Sequence, residues 1–243
     1  MRRSIIHRSD TGLEYQGLTM HVPPGVHQGV FDLLTAHLPP PARVLDLAAG
    51  SGAFTRRLLD AGYQVDAADI DLGDWSLQGV PVAQVDCNGP SWDLPVEAFE
   101  AIVAIEVIEH LENPTQFMRT AGRHLRPGGV LVFTTPNVVS LQSRRKMLLS
   151  GEFAFFGRGL LFEAGHRTPL PFWLLEDLLS SEGYDITERR FLGEQGFILR
   201  AGRPIWKSLF VPLLDLLFTL VGRRIPAEAN LTTTVGYLAR KPK

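Results

Sequence analysis

Apolar residues recur at helical spacing over 26–38 (Val30, Phe31, Leu34, Leu38) and stop at Pro39-Pro40-Pro41, which predicts a lead-in helix. Short aliphatic runs then occupy 43–47, 63–68, 80–85, 101–105 and 130–134, separated by helical or turn-rich segments. Runs of that length bounded by turns suit buried strands, and strands alternating with helices predict a parallel sheet. The helix before the fifth run is signed at both ends. Asn113 can cap it, Pro114 suits its first turn, and Pro127-Gly128-Gly129 is read as its stop. The second half is less regular. A helix is expected over 138–150, a glycine- and phenylalanine-bearing loop over 151–170 that acts as a mobile lid, and a helix over 171–182 closed by Gly183. Two last strands are expected at 184–192 and 231–239, with the apolar stretch 205–221 between them.

The chemistry begins where the first strand meets a turn of small residues, Asp46-Leu47-Ala48-Ala49-Gly50-Ser51-Gly52. Such a turn lets backbone approach a ligand at the carboxyl edge of a doubly wound sheet. An ordinary tight turn would look the same; the acids that follow distinguish the two. Asp69 ends the second strand about 20 residues later, where a carboxylate can accept both hydroxyls of a ribose. Asp86 ends the third, with Cys87 beside it, placed to read an adenine edge. Each acid alone could be a helix cap or a turn residue. A dinucleotide site would want a third glycine where Thr55 stands, and no phosphate-binding lysine follows the turn. An adenosine without phosphates fits better.

These stretches, with Phe99-Glu100-Ala101-Ile102-Val103 and Leu125-Arg126-Pro127-Gly128-Gly129, resemble the class I S-adenosylmethionine-dependent methyltransferases from about Val44 to Asn137. The resemblance implies an α/β fold with a doubly wound, mostly parallel, seven-stranded sheet of Rossmann-like type, its last strand antiparallel. It implies S-adenosylmethionine as cofactor, with the methionine end at Asp46, Ala48, Gly50 and Gly52, the ribose at Asp69, and the adenine at Asp86; Ile70, Cys87 and Ile105 complete the expected cofactor lining. The family often has glycine where Ala48 stands. One domain over 1–243 is expected, divided into a lead-in (1–42), a cofactor-binding core (43–137) and a substrate-side half (138–243) with insertions at 151–170 and 196–228.

Beyond the fourth strand, Glu106-Val107-Ile108-Glu109-His110 sets two carboxylates and an imidazole within one turn, able to converge on one point. Similar segments in ubiquinone-pathway O-methyltransferases and small-RNA 2′-O-methyltransferases hold a divalent metal with a later histidine, for which His166 is the candidate. Two readings stay open. Glu106, Glu109, His110 and His166 bind an ion, or His110, with Glu109, serves as a metal-free general base while Glu106 supports the cofactor. His124 is read as a surface residue, and His7, His21, His27 and His37 have no usable spacing.

Composition narrows the partners. With 243 residues, 45% of them hydrophobic, the chain can bury a full core. A net charge of -2 supplies no general field for nucleic acid, so a small-molecule, sugar or lipid-like acceptor is expected and a nucleic-acid partner is not. The single cysteine excludes an internal disulfide, and the N-terminus has no apolar signal core; a cytoplasmic protein is expected. The 205–221 stretch, broken by Lys207, Pro212 and Asp215, is too short and interrupted to span a bilayer. It is expected to pack in the core or in a homodimer, or to lie on a membrane surface. O-methylation is the leading function; N- or C-methylation and a non-catalytic cofactor-binding scaffold are the alternatives.

Overall fold

The computed structural model describes residues 13–194 and 225–243 together with Leu213, Leu216, Leu217 and Leu220. A hairpin comes first: β1 (Glu14–Tyr15) and β2 (Leu18–Thr19) pair antiparallel. Its turn residues Gln16 and Gly17 both have positive φ, 49° and 79°, the backbone that tight two-residue hairpin turns require. Tyr15 and Gln16 both donate to Asp60, fastening the hairpin to the end of helix α2 (Ala53–Asp60). The hydrophobic pattern had no means of showing this short hairpin.

The central strands are β3 (Arg43–Leu47), β4 (Gln64–Asp69), β5 (Val82–Gln84), β6 (Phe99–Ala104) and β7 (Leu125–Pro136), followed by β8 (Asp185–Glu194) and β9 (Thr232–Arg240). They form one seven-stranded sheet in the order β5-β4-β3-β6-β7-β9-β8. All pairings from β5 to β7 are parallel, and β9 runs antiparallel to both its neighbours. The chain goes one way from β3 to β4 and the other to β6, so the strand order reverses at the carboxyl end of β3. A ligand crevice opens at such a point.

Alternation along the buried strands sorts the core into two layers. Val44, Val103, Val130 and Val132 meet helix α1 (Val26–His37) and α2 through Val30, Leu34, Phe54 and Leu58. Leu45, Ile102, Leu131 and Phe133 meet α3 (Pro114–His124) and α6 (Phe172–Ser181) through Phe117, Met118, Leu175 and Leu179. Each such side chain, fully buried, contributes about 1.5–3 kcal/mol. Helix α4 (Leu141–Ser150) and the short α5 (Arg158–Glu163) lie between β7 and α6.

Several expectations need correcting. Asn113 does cap α3, accepting from the Gln116 amide at 3.0 Å, but the helix stops at His124, before Pro127-Gly128-Gly129. That tripeptide is looped out within β7, where Phe99 pairs with Leu125 and Ala101 already pairs with Val130. A Cβ on Gly129 would lie 2.9 Å from the Arg126 carbonyl, so the bulge requires glycine. His124 is buried, not superficial: it stacks on Trp92 with ring centroids 5.2 Å apart, and its Nδ1 meets the Pro95 carbonyl. The 151–170 segment is no plain loop, since it contains α5. Most of 205–221 and of the 196–228 insertion lies outside the described residues. Leu213, Leu216, Leu217 and Leu220 are helical and exposed, and no helix among the described residues is long and apolar enough to cross a membrane.

Candidate functional site

The crevice at the strand reversal is a cavity of about 600 Å³. Its wall includes Asp46, Ala48, Gly50, Asp69, Ile70, Asp86, Cys87, Ile105, Glu106, His110 and His166, which are the predicted site residues except Gly52 and Glu109. In a second groove, beside α3, Arg119 pairs with Glu182, Lys241 with Glu97, and Arg123 donates to the Pro90 carbonyl. Five non-glycine residues among those described have positive φ, and three of them, Ala48 (61°), Glu106 (54°) and Phe155 (63°), line the cavity. Such backbone costs about 1–3 kcal/mol per residue. Its concentration at one cavity marks a place where shape was kept at the expense of stability.

Asp46 leaves the end of β3 almost fully buried, with Oδ2 2.5 Å from the Thr55 hydroxyl. Burial pushes its carboxyl up to about 7 against the opposing Thr55 bond, and the nearby Asp69 charge adds to the rise. Thr55, which argued only against a dinucleotide, is thus the partner that orients Asp46. Asp69 at the tip of β4 accepts from the Gly50 amide at 2.8 Å and the Asp71 amide at 2.9 Å. It holds the glycine turn in shape while its oxygens keep lone pairs for a ligand. Gly52 is closely packed. At φ 89° it caps α2, and a Cβ there would lie 2.7 Å from Leu77 and 3.1 Å from the Trp75 ring.

On the adenine side, β5 ends at Gln84, so Asp86 lies in the following turn and accepts from the Asn88 amide at 2.8 Å. Asn88 also lines the cavity and accepts from the Glu112 amide; no motif signalled it. Burial raises the Cys87 thiol to about 12, helped by Asp69 and Asp86, so it is a neutral wall residue. Ile70 leaves about half of its surface exposed at the cavity, an apolar face available to a flat ring.

Across the cavity, Glu106 exchanges hydrogen bonds with Thr134: its amide donates to the hydroxyl at 3.0 Å, and the hydroxyl donates to its carboxylate at 2.9 Å. Glu109, on the 3₁₀ turn Ile108–His110, is fully buried, and neither carboxyl oxygen has a hydrogen-bond partner. Burial pushes both carboxyls upward, and the Glu106 charge pushes Glu109 further. Ligand atoms of Glu109, His110 and His166 all lie within 4.8 Å of one another. Glu106 is not one of the three; Thr134 holds its carboxylate, which lies beside Glu109. The two imidazoles meet edge to face at 4.7 Å. His166 Nδ1 donates to the Phe155 carbonyl at 2.7 Å, leaving Nε2 as the free nitrogen. Burial, then the neighbouring His166, lowers His110 to about 4, so it is neutral.

The 151–170 segment is tied down near both ends. The Ala154 amide donates to Ser143, the Arg167 and Thr168 amides both donate to the Glu109 carbonyl at 3.0 Å, and the Thr168 hydroxyl donates to Leu111. Between these ties, α5 has no buried residue. Sequence reading also missed His21 and His27, which reach the cavity from the lead-in segment.

A family model described as a methyltransferase domain matches residues 25–188, more than half of the chain. A ubiquinone biosynthesis O-methyltransferase of Xanthomonas oryzae pv. oryzae is 36% identical over 104 residues, which cover 40% of this chain and 44% of that relative. The match thus spans less than half of the curated relative's length. Among solved structures, a SAM-dependent methyltransferase from Archaeoglobus fulgidus is similar with a TM-score of 0.61 and 16% identity, covering 88% of this chain and 94% of its own. Phosphoethanolamine N-methyltransferase 2 of Haemonchus contortus, in complex with S-adenosyl-L-methionine, is similar with a TM-score of 0.59 and 15% identity, covering 92% and 54%. At such identities these two likenesses show the fold, and the family follows from the domain match: the chain belongs to the methyltransferase-domain family and has the fold of its S-adenosylmethionine-dependent members.

Proposed function

We propose that this protein transfers the methyl group of S-adenosylmethionine to the hydroxyl oxygen of a small-molecule, sugar or lipid-like acceptor. The reading is carried by one arrangement: the acids suited to adenosine, Asp69 and Asp86, and the imidazoles His110 and His166 line a single, largely apolar cavity. The donor chemistry fits the cofactor, because Asp69 retains lone pairs for ribose, Ile70 offers an apolar face to adenine, and Asp46 offers a buried carboxylate to the methionine ammonium. When bound, the cofactor supplies an electrophilic methyl. The chain's own residues then hold the acceptor in line and receive its proton. His110, at the cavity wall, receives it, with the Glu109 carboxyl close by. An acceptor that sheds a proton to an imidazole is a hydroxyl or a protonated amine; the 36% identical relative named as an O-methyltransferase supports oxygen.

A second reading is favoured by the spacing of Glu109, His110 and His166. One carboxylate without partners and two imidazoles suit a divalent ion of the magnesium-to-zinc series, which would lower the proton affinity of an acceptor hydroxyl. The exposed Leu213, Leu216, Leu217 and Leu220 lie on one face at helical spacing and are proposed to rest on a membrane surface, with a second copy of the chain as the alternative occupant.

Labelled S-adenosylmethionine with a panel of hydroxylated aromatic, sugar and prenylated acceptors tests the function. Transfer that excess chelator abolishes and magnesium or zinc restores favours the ion. Full transfer in chelator, lost in His110→Ala, favours the base. Bound cofactor with no transfer to any acceptor would leave a cofactor-binding protein and sink the proposal.

A further inference from the structure

The turn that carries His110 is too short to hold itself. Ile108–His110 is three residues of 3₁₀ helix, closed by the His110 amide on the Val107 carbonyl at 3.0 Å and the Leu111 amide on the Ile108 carbonyl at 3.3 Å. Ile108 and Leu111 anchor its inner side in the core. The carbonyls of Glu109 and Leu111 lie past those bonds and need donors from elsewhere, as carbonyls at the end of a helical turn do. One short segment supplies them. The Arg167 and Thr168 amides both donate to the Glu109 carbonyl at 3.0 Å, and the Thr168 hydroxyl donates to the Leu111 carbonyl at 2.5 Å.

The same segment meets the imidazole. A Cβ on Gly165 would lie 3.6 Å from His110 Nδ1, and Gly165 has φ 75°, the left-handed backbone that strains most side chains. Burial and the neighbouring His166 lower His110, and hydrogen bonding to the Ala164 and Gly165 backbone works against that fall. Upstream, Phe155, Leu160 and Ala164 line the cavity, and His166 Nδ1 donates to the Phe155 carbonyl at 2.7 Å, closing the segment across α5. Residues 155–164 thus wall the cavity, while 164–168 grip the turn that carries the proposed base.

We infer that Thr168 and Gly165 are positioning residues for His110: Thr168 ties the 3₁₀ turn to the cavity wall, and Gly165 permits the backbone that meets the imidazole at Nδ1. A neutral imidazole that donates from Nδ1 to this backbone keeps its lone pair on Nε2, the nitrogen then free to take a proton. Base and wall belong to one bonded unit, so an acceptor resting on Phe155, Leu160 and Ala164 keeps its register with His110. Such register matters, since a displacement of about 1 Å at a reacting atom can cost about 100-fold in rate. The inference rests on the reading that His110 receives the acceptor's proton.

The test reads the imidazole itself and needs no acceptor. Long-range proton–nitrogen correlation spectra of the nitrogen-labelled full chain, with S-adenosylhomocysteine and excess chelator, report which ring nitrogen of His110 carries the proton once His110→Gln has assigned its signals. The wild type should show the proton on Nδ1. Thr168→Val, which keeps the shape and loses the hydroxyl, and Gly165→Ala, strained at φ 75°, should each shift the tautomer ratio toward Nε2–H by about 2- to 10-fold, the effect of weakening one hydrogen bond. Thr168→Ser keeps the hydroxyl and Gly165→Asn tolerates left-handed backbone, so both should return the wild-type spectrum; if Thr168→Val fails to fold, the Gly165 pair decides. Affinity for S-adenosylhomocysteine should stay within about twofold throughout. A wild-type proton on Nε2, or variants that melt earlier with an unchanged tautomer, overturns the inference. Methyl transfer undiminished in His110→Gln would refute the base reading instead, a failure that the spectra do not share.

Discussion

Asp46→Asn separates the demands of folding from those of binding at a single oxygen. A carboxyl held at about 7 instead of its ordinary 3.8 costs roughly 4 kcal/mol to ionise in place. Its folded value is raised, so the stability it contributes is complete below about pH 4 and is lost as pH rises through 7, because only the unfolded chain ionises freely in that window. Asparagine does not titrate and can still accept from the Thr55 hydroxyl. The variant should therefore gain on the wild type as pH rises, by roughly 2–3 kcal/mol between pH 5 and pH 8. For a chain of this size that is about 4–12 °C in Tm. Urea denaturation of ligand-free protein at both pH values measures the gain directly. The same variant should bind S-adenosylhomocysteine more weakly, by about tenfold or more, since a charge-assisted hydrogen bond to the ammonium is replaced by a neutral one. A stability difference that does not change between pH 5 and pH 8 would refute the claim that Asp46 is buried against its own ionisation. Unchanged affinity would remove it from the binding site.

Two further outcomes follow from the same geometry. Asp69→Ala removes the acceptor for the Gly50 and Asp71 amides along with the proposed ribose contact, so S-adenosylhomocysteine affinity should fall about 10- to 100-fold by calorimetry; equal affinity would mean that the ribose lies elsewhere. Anionic liposomes should pellet the wild type and release Leu213→Asp/Leu217→Asp, both sites being exposed, whereas equal pelleting would reject the membrane contact, and a change from dimer to monomer without any pelleting would point to a second copy.

The sheet and its helices were legible because each buried strand carries a run that only a two-faced burial explains, and each helix carries its own punctuation. Val44 and Leu45, or Ile102 and Val103, are apolar on both faces because helices cover both. Asp46, Asp69 and the glycine turn were legible for a related reason: a strand end followed by small residues is a local feature, and local features survive in sequence. What sequence cannot carry is the identity of partners far along the chain. Thr55 orienting Asp46 and Asn88 in the cavity wall arise from side chains that meet only once the sheet closes. Glu106 and Glu109 are three residues apart, and the sequence left both as candidate ligands of one ion. The fold sends one to Thr134 and buries the other beside His166, 57 residues further on. His21 and His27 had no spacing that meant anything in one dimension. Both reach the cavity only once the fold brings the lead-in segment beside the glycine turn, where the Ser51 hydroxyl meets the Thr19 carbonyl.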